Sequence, residues 1–316
     1  MPIFTDALAR SGPFLAQAAL AAAHELGLFG DAGLPGTCGD LAARLELPAA
    51  RLRPLLDALA AAEAVERRAD RYLAPRPPAA PTEALAPTGW GVLAEVIRAD
   101  APLGEDPDML APMHAYLAEV GRPEALEVAQ RFLADARAVA DLGGGVGTYG
   151  LGFLEVVPDG VVTLVERAAV LALVEDPPPG LVLRAGALPQ AARDLPPQDA
   201  AVLANVLHLY GTEACRELLA AAVAAVRPGG RVLIKDLYLD PDRTGPPESV
   251  WFALNMALYT EAGDVHDVDR LVAWAREAGL EEVGATRLDC APQSVVVAGR
   301  APSAERGVRL PAAPVT

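Results

Sequence analysis

The sequence predicts an α/β fold, a doubly wound parallel sheet closed by an antiparallel hairpin and preceded by a smaller helical domain. Three observations predict it. From Ala138 onward, apolar strand-like runs alternate with helical ones, the pattern of consecutive strand-helix-strand units. The first run, Val139-Ala140-Asp141-Leu142, leads into Gly143-Gly144-Gly145-Val146-Gly147, a glycine run where such sheets open to a ligand. The last two runs, 281–288 and 294–298, are separated only by Asp289-Cys290-Ala291-Pro292-Gln293. That gap is too short for a crossover helix, so the last strand must run antiparallel to its neighbour.

The elements follow in chain order. Apolar residues recur at helical spacing over 6–28 and end at Gly30, which predicts a long first helix. Two further helices are expected at 37–45 and 48–64, separated by Glu46-Leu47-Pro48, with Pro48 suited to open the second. Residues 65–73 read as a small hairpin, completing a winged-helix unit over residues 1–87 that is better suited to dimerisation than to DNA. The stretch 75–81, with four prolines, is a stiff linker. Helical segments at 89–99, 108–120 and 122–136 make up a linker region, 88–136, expected to roof the cleft. The sheet domain occupies 137–300, with strands at 138–142, 161–165, 181–184, 200–205 and 231–236 and a helix at 267–278 capped by Gly279. Residues 301–316 have no periodicity and are expected to form a flexible tail.

The glycine run carries the chemistry. Glycines at the carboxyl end of a strand let the backbone turn sharply and approach a ligand that a side chain would repel. Gly145-Val146-Gly147-Thr148-Tyr149-Gly150 also satisfies the dinucleotide pattern G-x-G-x-x-G, so NAD or FAD competes with S-adenosylmethionine (SAM). Asp141 separates them, because a carboxylate before the turn is a poor match for a pyrophosphate but suits SAM, which has no phosphate and carries a cationic amino group. Glu166 ends the next strand where a ribose-binding acid belongs. The bland alternative, a tight turn with a solvated Asp141, gives three successive glycines little to do. The expected cofactor contacts are Asp141, Gly143, Gly144, Gly145, Gly147, Glu166, Gly186 and Asn205.

Composition narrows the partners. A net charge of -16 and a pI near 4.7 oppose a phosphate-binding surface, so nucleic acid is not expected. Cys38, Cys215 and Cys290 are far apart and lack metal-ligand spacing, which points to reduced structural thiols and no metal. No apolar run reaches membrane-spanning length, and the N-terminus has no basic stretch leading into an apolar segment, so the cytoplasm is expected. Lys235 is the sole lysine in a chain otherwise using arginine, a bias expected to reflect coding rather than function.

With these features in view, residues 5–300 resemble the two-domain small-molecule O-methyltransferases, the family of plant caffeate and acetylserotonin methyltransferases and of bacterial natural-product tailoring enzymes. The resemblance rests on Asp141-Leu142-Gly143-Gly144-Gly145-Val146-Gly147, Val206-Leu207-His208, Arg227-Pro228-Gly229-Gly230-Arg231-Val232-Leu233-Ile234 and Asn255-Met256-Ala257-Leu258. It implies a class I methyltransferase Rossmann-like sheet with an N-terminal winged-helix dimerisation domain, SAM as cofactor, a homodimer, and His208 as general base. The family's His is usually followed by Asp and Trp, whereas here Leu209 and Tyr210 follow. Of two acids that orient the base in the family, one is kept as Asp236 and the other position holds Val265, with Asp264, His266 and Asp267 alongside as candidate substitutes. The family's adenine-binding acid aligns with Ala187. Met113 and His114, and Asn255, Met256 and Tyr259, are expected to line the substrate pocket, with core packing as the alternative for Met and aromatic positions. Methyl transfer to a hydroxyl is the leading reading. Methylation of nitrogen, carbon or sulfur, a SAM-assisted non-methyl reaction, and a SAM-sensing winged-helix regulator are its rivals.

Overall fold

The structure is a computed structural model that describes residues 2–82, 85, 86 and 88–303, with side chains from residue 12 onward. Helix α1 (Pro2–Glu25) ends earlier than its apolar spacing suggests. Gly27, at φ 79°, is its terminating residue: Leu28 N–H reaches back to Ala23 and Gly27 N–H to His24, closing the helix before Gly30. A short β1 (Gly36–Thr37), not foreseen, precedes α2 (Cys38–Leu45) and α3 (Ala49–Ala61). Thr37 and Asp40 cap α2 reciprocally. The hairpin β2 (Glu66–Arg68) and β3 (Arg71–Leu73) then pairs with β1 through β3.

The 88–136 region departs from expectation. A 3-10 turn (Gly89–Val92) leads into α4 (Leu93–Ala99), whose Leu93, Ala94, Val96 and Ile97 are buried in the front core together with residues of α10. The two helices expected at 108–120 and 122–136 are one helix, α5 (Leu110–Val128), running through Gly121-Arg122-Pro123 into a π-turn (Ala129–Leu133). Burial of Val120, Glu124, Ala125 and Val128 outweighs the local helix-breaking signal.

The sheet is as expected, with longer edges. It is built from β4 (Ala138–Leu142), β5 (Val161–Glu166), β6 (Leu181–Ala185), β7 (Gln198–Ala204), β8 (Val226–Leu237), β9 (Glu281–Arg287) and β10 (Ser294–Arg300). Their order is β6-β5-β4-β7-β8-β10-β9, parallel up to β8, with β10 antiparallel to both β8 and β9. Strand β8 starts five residues before the expected Arg231 because Val226 already pairs with Gln198, and the Pro228-Gly229-Gly230 segment forms an irregularity within the strand. Helices α6 (Thr148–Val156), α7 (Ala168–Leu171), α8 (Gln190–Arg193), α9 (Thr212–Ala225), α10 (Pro247–Tyr259) and α11 (Val268–Glu277) complete the chain. Val250, Trp251, Ala253, Leu254 and Leu258 of α10 share one core with α1, α2, α3 and α4, so the front elements are packed onto the helix that follows β8. Of the expected tail, Ala301 is buried and exchanges hydrogen bonds with Gly229 and Gly230, which extends β10, while 304–316 lie outside the described residues.

Candidate active site

Strands β4, β5, β7 and β8 deliver their carboxyl ends to one edge, which brings Asp141, the glycine loop, Glu166, Asn205 and Asp236 to it. Gly143, Gly145 and Gly147 have φ of 70°, 60° and 88°, a backbone that glycine adopts without cost. A Cβ on Gly144 would lie within 2.5 Å of both carboxylate oxygens of Asp141, so the loop rests directly on that acid.

This corrects the expected role of Asp141. Its side chain is fully buried, and Oδ2 accepts from Gly150 N–H at 2.9 Å in the first turn of α6. It supports the loop from beneath and presents no surface to the cleft. Burial, aided by the nearby Glu166 charge and opposed by the Gly150 bond, pushes its carboxyl up to about 7. A pyrophosphate would need the helix N-terminus that Asp141 already occupies, so the glycine loop fits SAM and not a dinucleotide. Glu166, at the end of β5, is tied to the same loop through Gly145 N–H at 3.2 Å.

Gly186 has a packing reason of its own. A Cβ there would lie 2.5 Å from Ala191 Cβ, so the close approach of α8 requires the glycine. Asn205 sits just past β7 at φ 58° and accepts from Lys235 Nζ at 2.8 Å.

The 3-10 turn Leu207–Leu209 carries His208. His208 Nδ1 lies 2.6 Å from Asp236 Oδ1, and its backbone N–H donates to Asp236 Oδ2 at 3.2 Å. One carboxylate thus holds both the ring and the turn. Burial works against its charge, yet the His208 imidazole, with Lys235 and His266 nearby, holds the Asp236 carboxyl below the usual carboxylate range. An ionised Asp236 accepts from Nδ1–H, which leaves Nε2 with its lone pair. Phe252 meets the ring edge-to-face at 4.8 Å.

The candidate substitutes for the second acid do not reach this ring. Asp264 is held bidentately by Arg243 at 2.8 and 3.0 Å, and Arg243 also bonds buried Asp57 of α3. His266 Nε2 lies 3.4 Å from the Leu207 carbonyl, and its ring stacks edge-on to Trp274. Asp267 caps α11 through Arg270 N–H. His266 therefore lies against the turn, and among the described residues Asp236 is the acid that holds the His208 ring.

On α10, Asn255, Met256 and Tyr259 follow Phe252 by three, four and seven residues, which places them on its face of the helix. On α5, His114 covers the glycine loop, so that a Cβ on Gly145 would be 3.1 Å from its Nδ1. Burial lowers its pKa, favouring the neutral ring. Met113 beside it is 42% exposed and so is not a core residue. Glu124 and Tyr149, missed in the sequence, join Lys235 behind the site. The signal was a lysine inside the apolar strand Val232-Leu233-Ile234-Lys235, which needs a buried acid.

A family model described as an O-methyltransferase domain matches residues 113–281, more than half of the chain, including the glycine loop, His208, Asp236 and α10. The chain belongs to this O-methyltransferase family. The methyltransferase is 29% identical to 3-hydroxy-5-methyl-1-naphthoate 3-O-methyltransferase of Streptomyces sahachiroi, over 89% of its own length and 90% of the relative's. The O-methyltransferase family 2 protein from Planctomyces limnophilus, solved with apigenin, shares its fold with a TM-score of 0.71 at 24% identity over 95% of each chain. Human N-acetylserotonin methyltransferase, solved with SAM, gives 0.61 at 21% identity over 96% of this chain and 98% of that one. The protein is therefore a SAM-dependent O-methyltransferase.

Proposed function

We propose that this methyltransferase modifies a phenolic hydroxyl of a small aromatic or polyketide-like natural product, with His208 as general base. The observation that carries the reading is the 2.6 Å contact between His208 Nδ1 and Asp236, which commits Nε2 to accept a proton. SAM supplies an electrophilic methyl on a sulfonium, so the protein must align the oxygen with it and remove a proton as the oxygen attacks. Gly143, Gly144, Gly145 and Gly147 offer the backbone cradle for SAM, Glu166 the acceptor for its ribose hydroxyls, and Asn205 a polar contact. Phe252, Asn255, Met256 and Tyr259 on α10, with Met113 and His114 on α5, bound the substrate pocket. Its mostly apolar, aromatic character suits a flat ring system such as the naphthoate named for the Streptomyces relative.

The front elements support a winged-helix dimerisation domain over 1–87: α2 and α3 form a helix-turn-helix and β2-β3 the wing. The linker 88–136, the catalytic domain 137–300 and the tail 301–316 follow. Phe14 on α1, Met109 before α5, and Tyr116 and Leu117 of α5 are exposed apolar side chains that a second subunit would cover, making a homodimer. No described helix is long and apolar enough to cross a membrane, and we place the enzyme in the cytoplasm.

The test is turnover of a panel of hydroxylated aromatic compounds, following release of S-adenosylhomocysteine and locating the new methyl by mass spectrometry. Methyl on a phenolic oxygen supports the reading. Methyl on nitrogen, carbon or sulfur overturns it in favour of its nearest rival.

A further inference from the structure

The sole lysine of the chain is almost completely buried. Lys235 is 3% exposed and lies on β8 beside Asp236. Its Nζ forms an ion pair with Glu124, itself 4% exposed on α5, donates to Asn205 Oδ1 at 2.8 Å, and sits 5.9 Å from the centre of the Tyr149 ring on α6. Glu124 Oε2 also accepts from Tyr149 Oη at 3.3 Å and from Ser294 Oγ of β10 at 3.4 Å. Burial pushes the Tyr149 phenol well up, so it remains a donor. A compact ammonium with three rotatable donors can meet partners in three directions. The planar fork of arginine, used at every other basic position of Lys or Arg type, cannot.

A buried ion pair is weak evidence of stabilisation, since apolar residues of similar size often replace one without loss. What distinguishes this one is its set of partners. Asn205 is held at φ 58° from both sides, its N–H donating to the Lys235 carbonyl at 2.8 Å and its side chain accepting from Lys235 Nζ. It is the last residue before the segment 206–209 that presents His208. Glu124 belongs to the helix that covers the glycine loop, and Tyr149 to the helix that the loop opens. One ammonium therefore joins the backbone leading to the base, the roof over the loop and the loop's own helix.

We propose that Lys235 is a positioning residue for methyl transfer, which holds Asn205 and so sets the turn of His208 relative to the glycine loop. The proposal rests on the reading of His208 as the base. Its test is the variant Glu124→Leu/Lys235→Met, which removes both charges together and leaves none orphaned. Thermal unfolding is expected to fall, because the Tyr149 and Ser294 hydroxyls lose Glu124 as acceptor, and calorimetric SAM affinity to stay near wild type, while kcat measured well below the unfolding range falls about 10- to 100-fold, the loss expected when a charge-assisted hydrogen bond ceases to fix geometry. Adding His208→Ala to this variant should then cost little more than His208→Ala does alone, because both act through the same imidazole. A wild-type kcat in the double variant, alongside a slow His208→Ala, overturns the positioning role and leaves the base intact. Losses that simply multiply overturn it as well. A wild-type rate in His208→Ala alone removes the base assignment, and the proposal with it. If Glu124→Leu/Lys235→Met does not fold, Asn205→Ala and Asn205→Asp ask the same question at a half-buried position. The aspartate keeps the acceptor for Lys235 and tolerates a left-handed backbone, so kcat must fall in the alanine variant and recover in the aspartate variant; equal rates overturn the proposal.

Discussion

Asp236→Asn tests the orientation of the base at a single atom pair. The carboxylate is ringed by donors: Oδ1 takes the His208 Nδ1 contact at 2.6 Å and Leu237 N–H at 2.9 Å, and Oδ2 takes His208 N–H at 3.2 Å. An asparagine has one acceptor, so whichever way the amide turns, its NH2 faces a donor. Turned toward His208 Nδ1, it stabilises the tautomer with the proton on Nε2 and removes the acceptor that the reaction needs. Turned the other way, it pushes the turn away from its seat. A buried charge-assisted hydrogen bond contributes about 1.5–3 kcal/mol, which at about 1.4 kcal/mol per decade predicts a loss in kcat of about 10- to 150-fold. His208→Ala, which removes the base itself, should lose about 10²- to 10⁴-fold. The assay is initial rate against pH at saturating SAM, with SAM affinity measured separately and expected to change little. The deficit of His208→Ala should shrink as pH rises toward the ionisation of the substrate hydroxyl, because an ionised oxygen needs no base. Wild-type turnover in both variants at neutral pH, with folds intact, would show that alignment alone suffices and refute the reasoning.

Gly145→Val places a β-branched residue at φ 60° with its Cβ 3.1 Å from His114 Nδ1, so SAM should bind about tenfold or more weakly by calorimetry; unchanged affinity in a folded variant counts against the cradle. Asp141→Asn should raise the unfolding temperature of SAM-free protein at pH 8 and confer no gain near pH 4. The native carboxyl is raised from 3.8 to about 7, so its protonated form carries stability that is fully present below pH 3.8 and lost as pH rises to about 7, about 4 kcal/mol in all; a pH-independent difference from wild type refutes this. Light scattering of the full chain at micromolar concentration should report a dimer, and a monomer there excludes the proposed apolar interface.

Much of the catalytic half was legible because its signals are local. A strand, an acid and a glycine run define the cofactor loop within ten residues, and a five-residue gap is enough to force β10 antiparallel. Asp141 separates SAM from a dinucleotide for a reason the sequence does not show: it disfavours a pyrophosphate by occupying the amide end of α6, not by facing the ligand. The break expected at Gly121-Arg122-Pro123 does not occur because packing decides that position, and at Gly186 a glycine required by Ala191 looks in sequence like one required by a ligand.

The acids around His208 show where sequence adjacency stops being informative. Asp264, Val265, His266 and Asp267 are neighbours in the chain, yet their side chains go to Arg243, the front core, the Leu207 carbonyl and the first turn of α11. Which of four neighbours faces the base depends on the path of the backbone, and here Arg243 ties that path to Asp57 at 2.8 Å, some two hundred residues away in the sequence. With Val265 in place of a second acid, the Asp236 carboxylate must both select the tautomer and hold the turn. A ring fixed by one acceptor depends on the rigidity of everything that carries that acceptor. That dependence gives a physical reason for a buried cation at the adjacent position of the same strand, in a chain that uses lysine nowhere else.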